Sequence, residues 1–509
     1  MKKEFLLSFL ILFQTLPVFA KTYDLEIKKQ NVFITGKAVE AITINDGIPG
    51  PTLRWQEGED VVVNVKNTMD ETTSIHWHGI LLNGLMDGVP GLNGFHGIAP
   101  HTTFTYKFKV RQKGTYWYHS HSNLQEQQGV YGSIVIEPNE VKADRDYVVL
   151  LSDFTEENPN TVLNNLKIDS GYYNFNKRTI LTFFKDIKKN GFSATLRDYM
   201  DWGSMRMDPT DLSDVTRYHF LTNGKTAEQN WTGIFKKGER VKLRFINASA
   251  MTIYDVSIPG LKMKLVEADG QPVKPTTIDE FRFGVAETYD VIVEPKADKA
   301  YTIFAESIDR TGYARGTLAL KEGMEGKITP MRPRAVLTMA DMAMEGMDHS
   351  NMNMDNVKSG WAERGTSQDN KSLEYSDLIS LYPQKDLRQP TREIEFKFGG
   401  SMNRYIWTIN GEKFPKPMHL KYGEKVRLKF VNETMMAHPI HLHGMFMQLE
   451  NGQSMKWMPN KHTVIVPPAQ TVTLLLSADE AGEWAFHCHL LLHMASGMMT
   501  SVTVDKEGK

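Results

Sequence analysis

Four short stretches of the chain each hold two histidines separated by one residue: "HWH" at 76–78, "HSH" at 119–121, "HLH" at 441–443 and "HCH" at 487–489. In a strand, residues i and i+2 project from one face and i+1 from the other, so each pair presents its imidazoles together. The residue inside the last pair is Cys488, the only cysteine of the chain. Its sulfur therefore points away from His487 and His489. A thiol on one face and two imidazoles on the other describe two metal sites divided by a short length of backbone. The thiol's site can be completed locally. His438 lies before His441 at a spacing that does not share the pair's face, and His493 and Met498 follow Cys488. Two histidines, a soft thiolate and a weak axial thioether form the donor set of a trigonal blue-copper electron-transfer site.

A repeat positions these donors. "GEDVVVNVKN" runs from Gly58 to Asn67, "GERVKLRFIN" from Gly238 to Asn247 and "GEKVRLKFVN" from Gly423 to Asn432. Each alternates apolar with polar residues after a glycine, which predicts a half-buried strand leaving a turn. Three widely spaced copies imply three related β domains. At one fixed distance past the asparagine the outer copies reach His76 and His441, whereas the middle copy reaches Val256. A late strand repeats the contrast: "GTYWYHSH" and "GEWAFHCH" in the outer copies, "KAYTIFAE" at 299–306 in the middle. The strands do without imidazole in the middle copy, so the outer histidines serve something other than architecture. Short strands between turn sequences such as "NDGIPGPTL" and "VEADGQPVKP" predict β-sandwiches. The expected division is 21–140, then 141–330 with a helical stretch at about 179–200, a methionine-rich segment and polar linker at 331–390, and 391–509.

The first twenty residues have two lysines, an apolar run from Phe5 and the small Ala20, the layout of a cleaved secretory signal peptide. No later apolar segment is long enough to span a bilayer. These features predict export to the periplasm, where a lone cysteine has no internal disulfide partner. A formal charge of −2 on 509 residues gives no reason to expect nucleic acid or an anionic membrane as partner. Of the 27 methionines, Met339, Met342, Met344, Met347, Met352 and Met354 crowd one short polar stretch together with His349. Thioethers prefer Cu(I), so this stretch is expected to be a mobile surface segment that captures it.

In chain order, "HWHG", "HSH", "HPIHLHG" and "HCHLLLHMASGM" resemble the four copper signatures of the multicopper oxidases. "MDGVPGL", "FINASAMTIYDVSIPGLKMKLVEADGQ" and "VAETYDVIVEP" are most similar to the periplasmic copper-resistance type. The resemblance implies an all-β fold of three consecutive cupredoxin-like, Greek-key sandwiches with a helical insertion in the middle one. It implies about four coppers, one type 1, one type 2 and a type 3 pair. His438, Cys488, His493 and Met498 would bind type 1, and His76 and His441 type 2. His78, His119, His121, His443, His487 and His489 would bind the type 3 pair. Asp87 matches an acid that in relatives lies beside the trinuclear site and feeds it protons. A second acid found in many relatives is replaced here by Met494 and Ala495. The implied reaction takes single electrons from Cu(I), and from small phenols, and reduces O2 to water; periplasmic copper carriers are candidate partners. His96, His101, His219, His419 and His462 receive no ligand assignment.

Overall fold

The alternation of the first and third repeats becomes a strand with one buried face. Strand Asp60–Asn67 buries Val61, Val63 and Val65, and strand Lys425–Asn432 buries Val426, Leu428 and Phe430. The middle copy, Val241–Asn247, departs from its pattern and is buried along its whole length. Its polar face meets the first domain. Arg244 donates to Thr115 of the first domain's sheet and to Asp146 and Asp290 of its own, and Lys242 lies 2.8 Å from Glu267. Charges enter an interior only when paired in this way.

The computed structural model describes residues 21–137, 142–205, 207–342, 361, 370–401 and 404–505; the expected signal peptide lies outside them. The strands assemble into three pairs of sheets, four and four strands, then six and six, then six and five. In each pair the repeat strand runs parallel to the strand that opens its domain: Lys21–Val32, Arg145–Phe154 and Arg392–Ser401.

The repeat asparagine does the same work three times. Asn67, Asn247 and Asn432 are fully buried. Each accepts the N–H of the residue two positions on: Met69, Ser249 and Thr434. Each amide group donates to carbonyls of the following loop and of a distant strand end, for Asn432 those of Met436, Val466 and Pro467. One side chain thus fixes the path by which the chain leaves the repeat strand and reaches the next one, where the outer domains carry histidine.

Two expectations are corrected. The helical insertion is three helices rather than one stretch at 179–200: α1 Pro159–Ile168, α2 Ile180–Asn190 and α3 Phe192–Met205. Asn158 caps α1 and Pro159 starts it, a legible start signal. Gly191, at φ 83°, breaks the longer run. The linker, in its described part, is not a free tether. Ser372–Leu373 adds a strand beside Glu280–Phe283, and the Tyr375 hydroxyl joins the third domain to the second, accepting from the Ile465 N–H (2.8 Å) and donating to Glu287 (2.7 Å).

Candidate metal centres

Cross-strand register brings the first histidine of each motif opposite another. His76 pairs with His119 on neighbouring strands of the first domain, and His441 pairs with His487 in the third. The two domains then meet face to face. His76 stacks on His443 and His78 on His441, each at 3.8 Å between ring centres. His119 faces His489 at 4.9 Å and His121 faces His487 at 5.0 Å. In repeat terms this is a local two-fold arrangement, in which each ring meets one from a non-equivalent position across the interface. Seven of the eight rings are buried and His121 is half-buried.

The nitrogens divide into two sets. Nε2 of His76, His119, His121, His441 and His489 and Nδ1 of His78 have no hydrogen-bond partner. Nε2 of His443 and His487 face each other at 3.2 Å. These eight atoms turn toward one interdomain space. Buried polar atoms are rarely left without partners, so this concentration fits metal ions. Burial, added to by neighbouring imidazoles, holds His78, His119, His121, His441 and His489 well below the ordinary imidazole value. Burial also takes His443 down to about 4 and His487 to about 3. Neutral imidazole is the form that binds metal.

The opposite nitrogens are held from outside. His76 Nδ1–H donates to the Asp87 carbonyl (2.9 Å), His441 Nδ1–H to the His462 carbonyl (2.7 Å) and His487 Nδ1–H to the Cys488 carbonyl (3.0 Å). His443 Nδ1–H donates to the Asp87 carboxylate at 2.8 Å, and the other carboxylate oxygen lies 3.3 Å from His76 Nδ1. Such outer partners fix tautomer and ring orientation. Burial raises the pKa of Asp87, but the His443 and His76 rings more than offset it and hold the carboxyl below its usual range.

On the far face of strand Gly482–Cys488 lies the second group. Cys488 Sγ is 3.6 Å from His438 Nδ1 and 3.8 Å from His493 Nδ1, which are 3.2 Å apart. His493 rides on the short helix α4, Leu491–Ala495. Met498 is buried, and its N–H closes the turn on the His493 carbonyl. Burial pushes the Cys488 thiol above its ordinary value, so a bound cation is what would keep it ionised. The Thr434 hydroxyl lies 2.8 Å from His438 Nε2, and Asp214 accepts from His493 Nε2 and from the Tyr405 hydroxyl, both at 2.7 Å. Trp407 stacks on His493 at 3.8 Å.

Three residues at these centres went unread in the sequence. Asp214 belongs to the middle domain and has no motif. His462, given no ligand role above, lies 3.2 Å from His78 Nε2 through its own Nδ1. Asp269, also of the middle domain, accepts the N–H groups of His462 (3.0 Å) and Thr463 (3.1 Å) and pairs with buried Lys461. The methionines need a correction too. Met342 is buried and Met339 is half-buried against the main core, so neither lies in a freely exposed segment. Met344, Met347, His349, Met352 and Met354 lie outside the described residues, as does Met402. Met435, Met436, Met445 and Met447 are core.

Three family profiles, each described as multicopper oxidase, match residues 26–141, 145–323 and 387–508. Copper resistance protein A of Escherichia coli is 47% identical, covering 95% of this chain and 92% of its own. A copper resistance protein A homolog of Pseudomonas syringae pv. tomato is 48% identical with the same coverage. Multicopper oxidase MmcO of Mycobacterium tuberculosis is 30% identical over 94% of this chain and 86% of its own. Among solved structures, Fet3p, a multicopper oxidase that functions in iron import, aligns at TM-score 0.71 and 19% identity, over 96% of this chain and 91% of its own. The laccase of Botrytis aclada aligns at TM-score 0.71 and 21% identity, over 95% and 87%.

Proposed function

The chain belongs to the multicopper oxidase family, on its copper-resistance side, and from that premise we propose that it oxidises Cu(I) to Cu(II) in the periplasm, with small phenols as further reductants and O2 as the acceptor. When bound, the family's four coppers supply one-electron transfer at a mononuclear centre and four-electron reduction of O2 to water at a trinuclear one. The residues present fit both. His438, Cys488, His493 and Met498 would hold type 1; His76 and His441 type 2; His78, His119, His121, His443, His487 and His489 the type 3 pair. The observation that carries this reading is the set of buried, unpartnered imidazole nitrogens gathered beside the Cys488–His438–His493 triangle. The Cys488 backbone joins the two, because the peptides on either side of the thiol lead directly to His487 and His489.

The chain's own residues account for the rest. Interdomain stacking and burial keep bulk water away from the cluster space. Asp87 holds two imidazoles, His443 through its carboxylate and His76 through its carbonyl, and as the acid beside the cluster it is the residue assigned to relay protons to it. Asp214 braces His493 at Nε2, and Tyr405 braces Asp214 in turn. Thioethers of the segment containing Met344, Met347, Met352 and Met354 are soft enough to deliver Cu(I) there. Export rests on residues 1–20; among the described residues no helix is long and apolar enough to cross a membrane.

Copper content, colour and O2 uptake of the purified protein test the reading together. About four coppers per chain, an intense blue band and O2 consumption driven by Cu(I) are expected. Cys488→Ser should lose one copper, the colour and the turnover. A colourless wild-type protein, or one whose copper protection in cells survives Cys488→Ser, would mark a copper store and end the proposal.

A further inference from the structure

Glu126 is a buried acid with no role in the centres as assigned above. It is 3% exposed, and among the described residues the basic side chains within 4.0 Å of it are two imidazoles, one from each terminal domain. Oε2 lies 2.7 Å from His119 Nδ1; Oε1 lies 4.0 Å from His489 Nδ1 and has no hydrogen-bond partner. Burying a carboxyl this far is unfavourable unless its neighbours repay the lost hydration.

The repeat shows that the fold does not need the acid. Glu126 stands as far beyond His119 as Met494 stands beyond His487. The two turns then close on matching glycines, Gly129 at φ 117° and Gly497 at φ 134°. Met494, half-buried against the core, serves the third domain's turn without a charge. The histidines differ in the same sense. His487 Nδ1–H reaches the carbonyl of the next residue at 3.0 Å, whereas His119 is 3.2 Å from the equivalent Ser120 carbonyl. The shorter contact of His119 is to Glu126. Trp117 covers the face of the same ring, stacked at 4.2 Å. Held on one face and at one nitrogen, His119 has only Nε2 left to offer the cluster.

We propose that Glu126 is a positioning residue for the type 3 pair, orienting His119 by accepting its Nδ1–H with a buried carboxyl oxygen while its other oxygen stands beside His489 of the third domain. The proposal rests on the ligand assignment above. Its test compares wild-type holoprotein with Glu126→Met, which installs the third domain's residue, and Glu126→Gln, which keeps a carbonyl acceptor. Copper retention is measured against a graded chelator, with the near-ultraviolet signature of the coupled type 3 pair and the blue type 1 band read separately. Outer partners of metal ligands are worth about 10–100-fold in affinity. Glu126→Met should therefore lose cluster copper at ~10–100-fold lower chelator while the blue band persists, and Glu126→Gln should restore most of the loss. Wild-type retention in Glu126→Met overturns the proposal, as does loss of blue and cluster copper in step, or an equal loss in Glu126→Gln. Should the methionine variant not fold, Glu126→Ala takes its place with the same two outcomes. A wild-type protein that holds no cluster would instead refute the assignment on which the proposal stands.

Discussion

Replacing Asp214 should raise the reduction potential of the mononuclear centre. Its carboxylate is buried, 2.7 Å from His493 Nε2, and the nitrogen facing Cys488 is on the other side of that ring. A metal held there would sit on the order of 7 Å from the carboxylate, one imidazole and one coordination bond away. At an effective dielectric of about 20, a unit charge at that distance contributes ~2 kcal/mol. For one electron that is on the order of 100 mV. The sign follows from charge: a nearby anion favours the more positive Cu(II), so Asp214→Asn shifts the balance toward Cu(I) and the potential upward. A redox titration of the blue band in wild type and Asp214→Asn measures it. Tyr405→Phe is the companion, because it removes a donor to the same carboxylate (2.7 Å) and leaves the charge; a smaller shift, downward, is expected. An Asp214→Asn potential that stays put or falls would refute the placement of the carboxylate as an electrostatic brace on a copper ligand.

Changing Met344, Met347, Met352 and Met354 to Leu, with Met339 and Met342, which pack against the core, left alone, should cut Cu(I) oxidation and spare phenol oxidation. An equal fall in both would remove the segment from copper delivery. Lys461→Met strands Asp269 and Glu287, both buried beside it, and should cost about 3–5 kcal/mol of stability by thermal or denaturant melting; a change within error would show the triad to be dispensable. Burial and the neighbouring Asp290 push Glu267 up to about 7 from 4.5, against the pull of Lys242. The folded state therefore binds the proton more tightly than the unfolded chain, and stability should fall as pH rises from about 4.5 through about 7. Glu267→Gln should flatten that limb in a series of melting curves; an unchanged slope would assign it to other groups.

The donors were legible because they recur. Strand alternation and a common offset from Asn67 and Asn432 place His76 and His441 in the same slot, and periodicity alone sets Cys488 on the opposite face from His487. What could not be read is whatever crosses domains without a repeat. Asp214, Asp269 and His462 have no counterpart at a matching offset, and each acts on a residue distant in sequence. Glu126 is intermediate: its offset from His119 matches that of Met494 from His487, but only the 2.7 Å contact gives that match a meaning. The helices are hidden for a local reason: the apolar pattern continues across Gly191, where α2 gives way to α3, and α1 is marked only by its Asn158–Pro159 start.

The same offsets explain why only the third domain carries a thiol-centred donor set. Thr73, Ser120, Gln125 and Val130 stand in the first domain where His438, Cys488, His493 and Met498 stand in the third. Thr73 and Ser120 both donate to Gln125 Oε1, at 2.7 and 3.1 Å, and Gln125 Nε2 donates to the Thr72 carbonyl at 2.9 Å. These neutral groups satisfy one another and leave no soft donor. Both terminal domains can therefore offer imidazoles from each side of the interface, while Cys488 of the third is the one thiol among them. The middle domain has no imidazole in either slot, yet it supplies Asp214 to the thiol's side and Asp269 to the strand behind the cluster. Its part is to hold the two outer domains in the register that their histidines require.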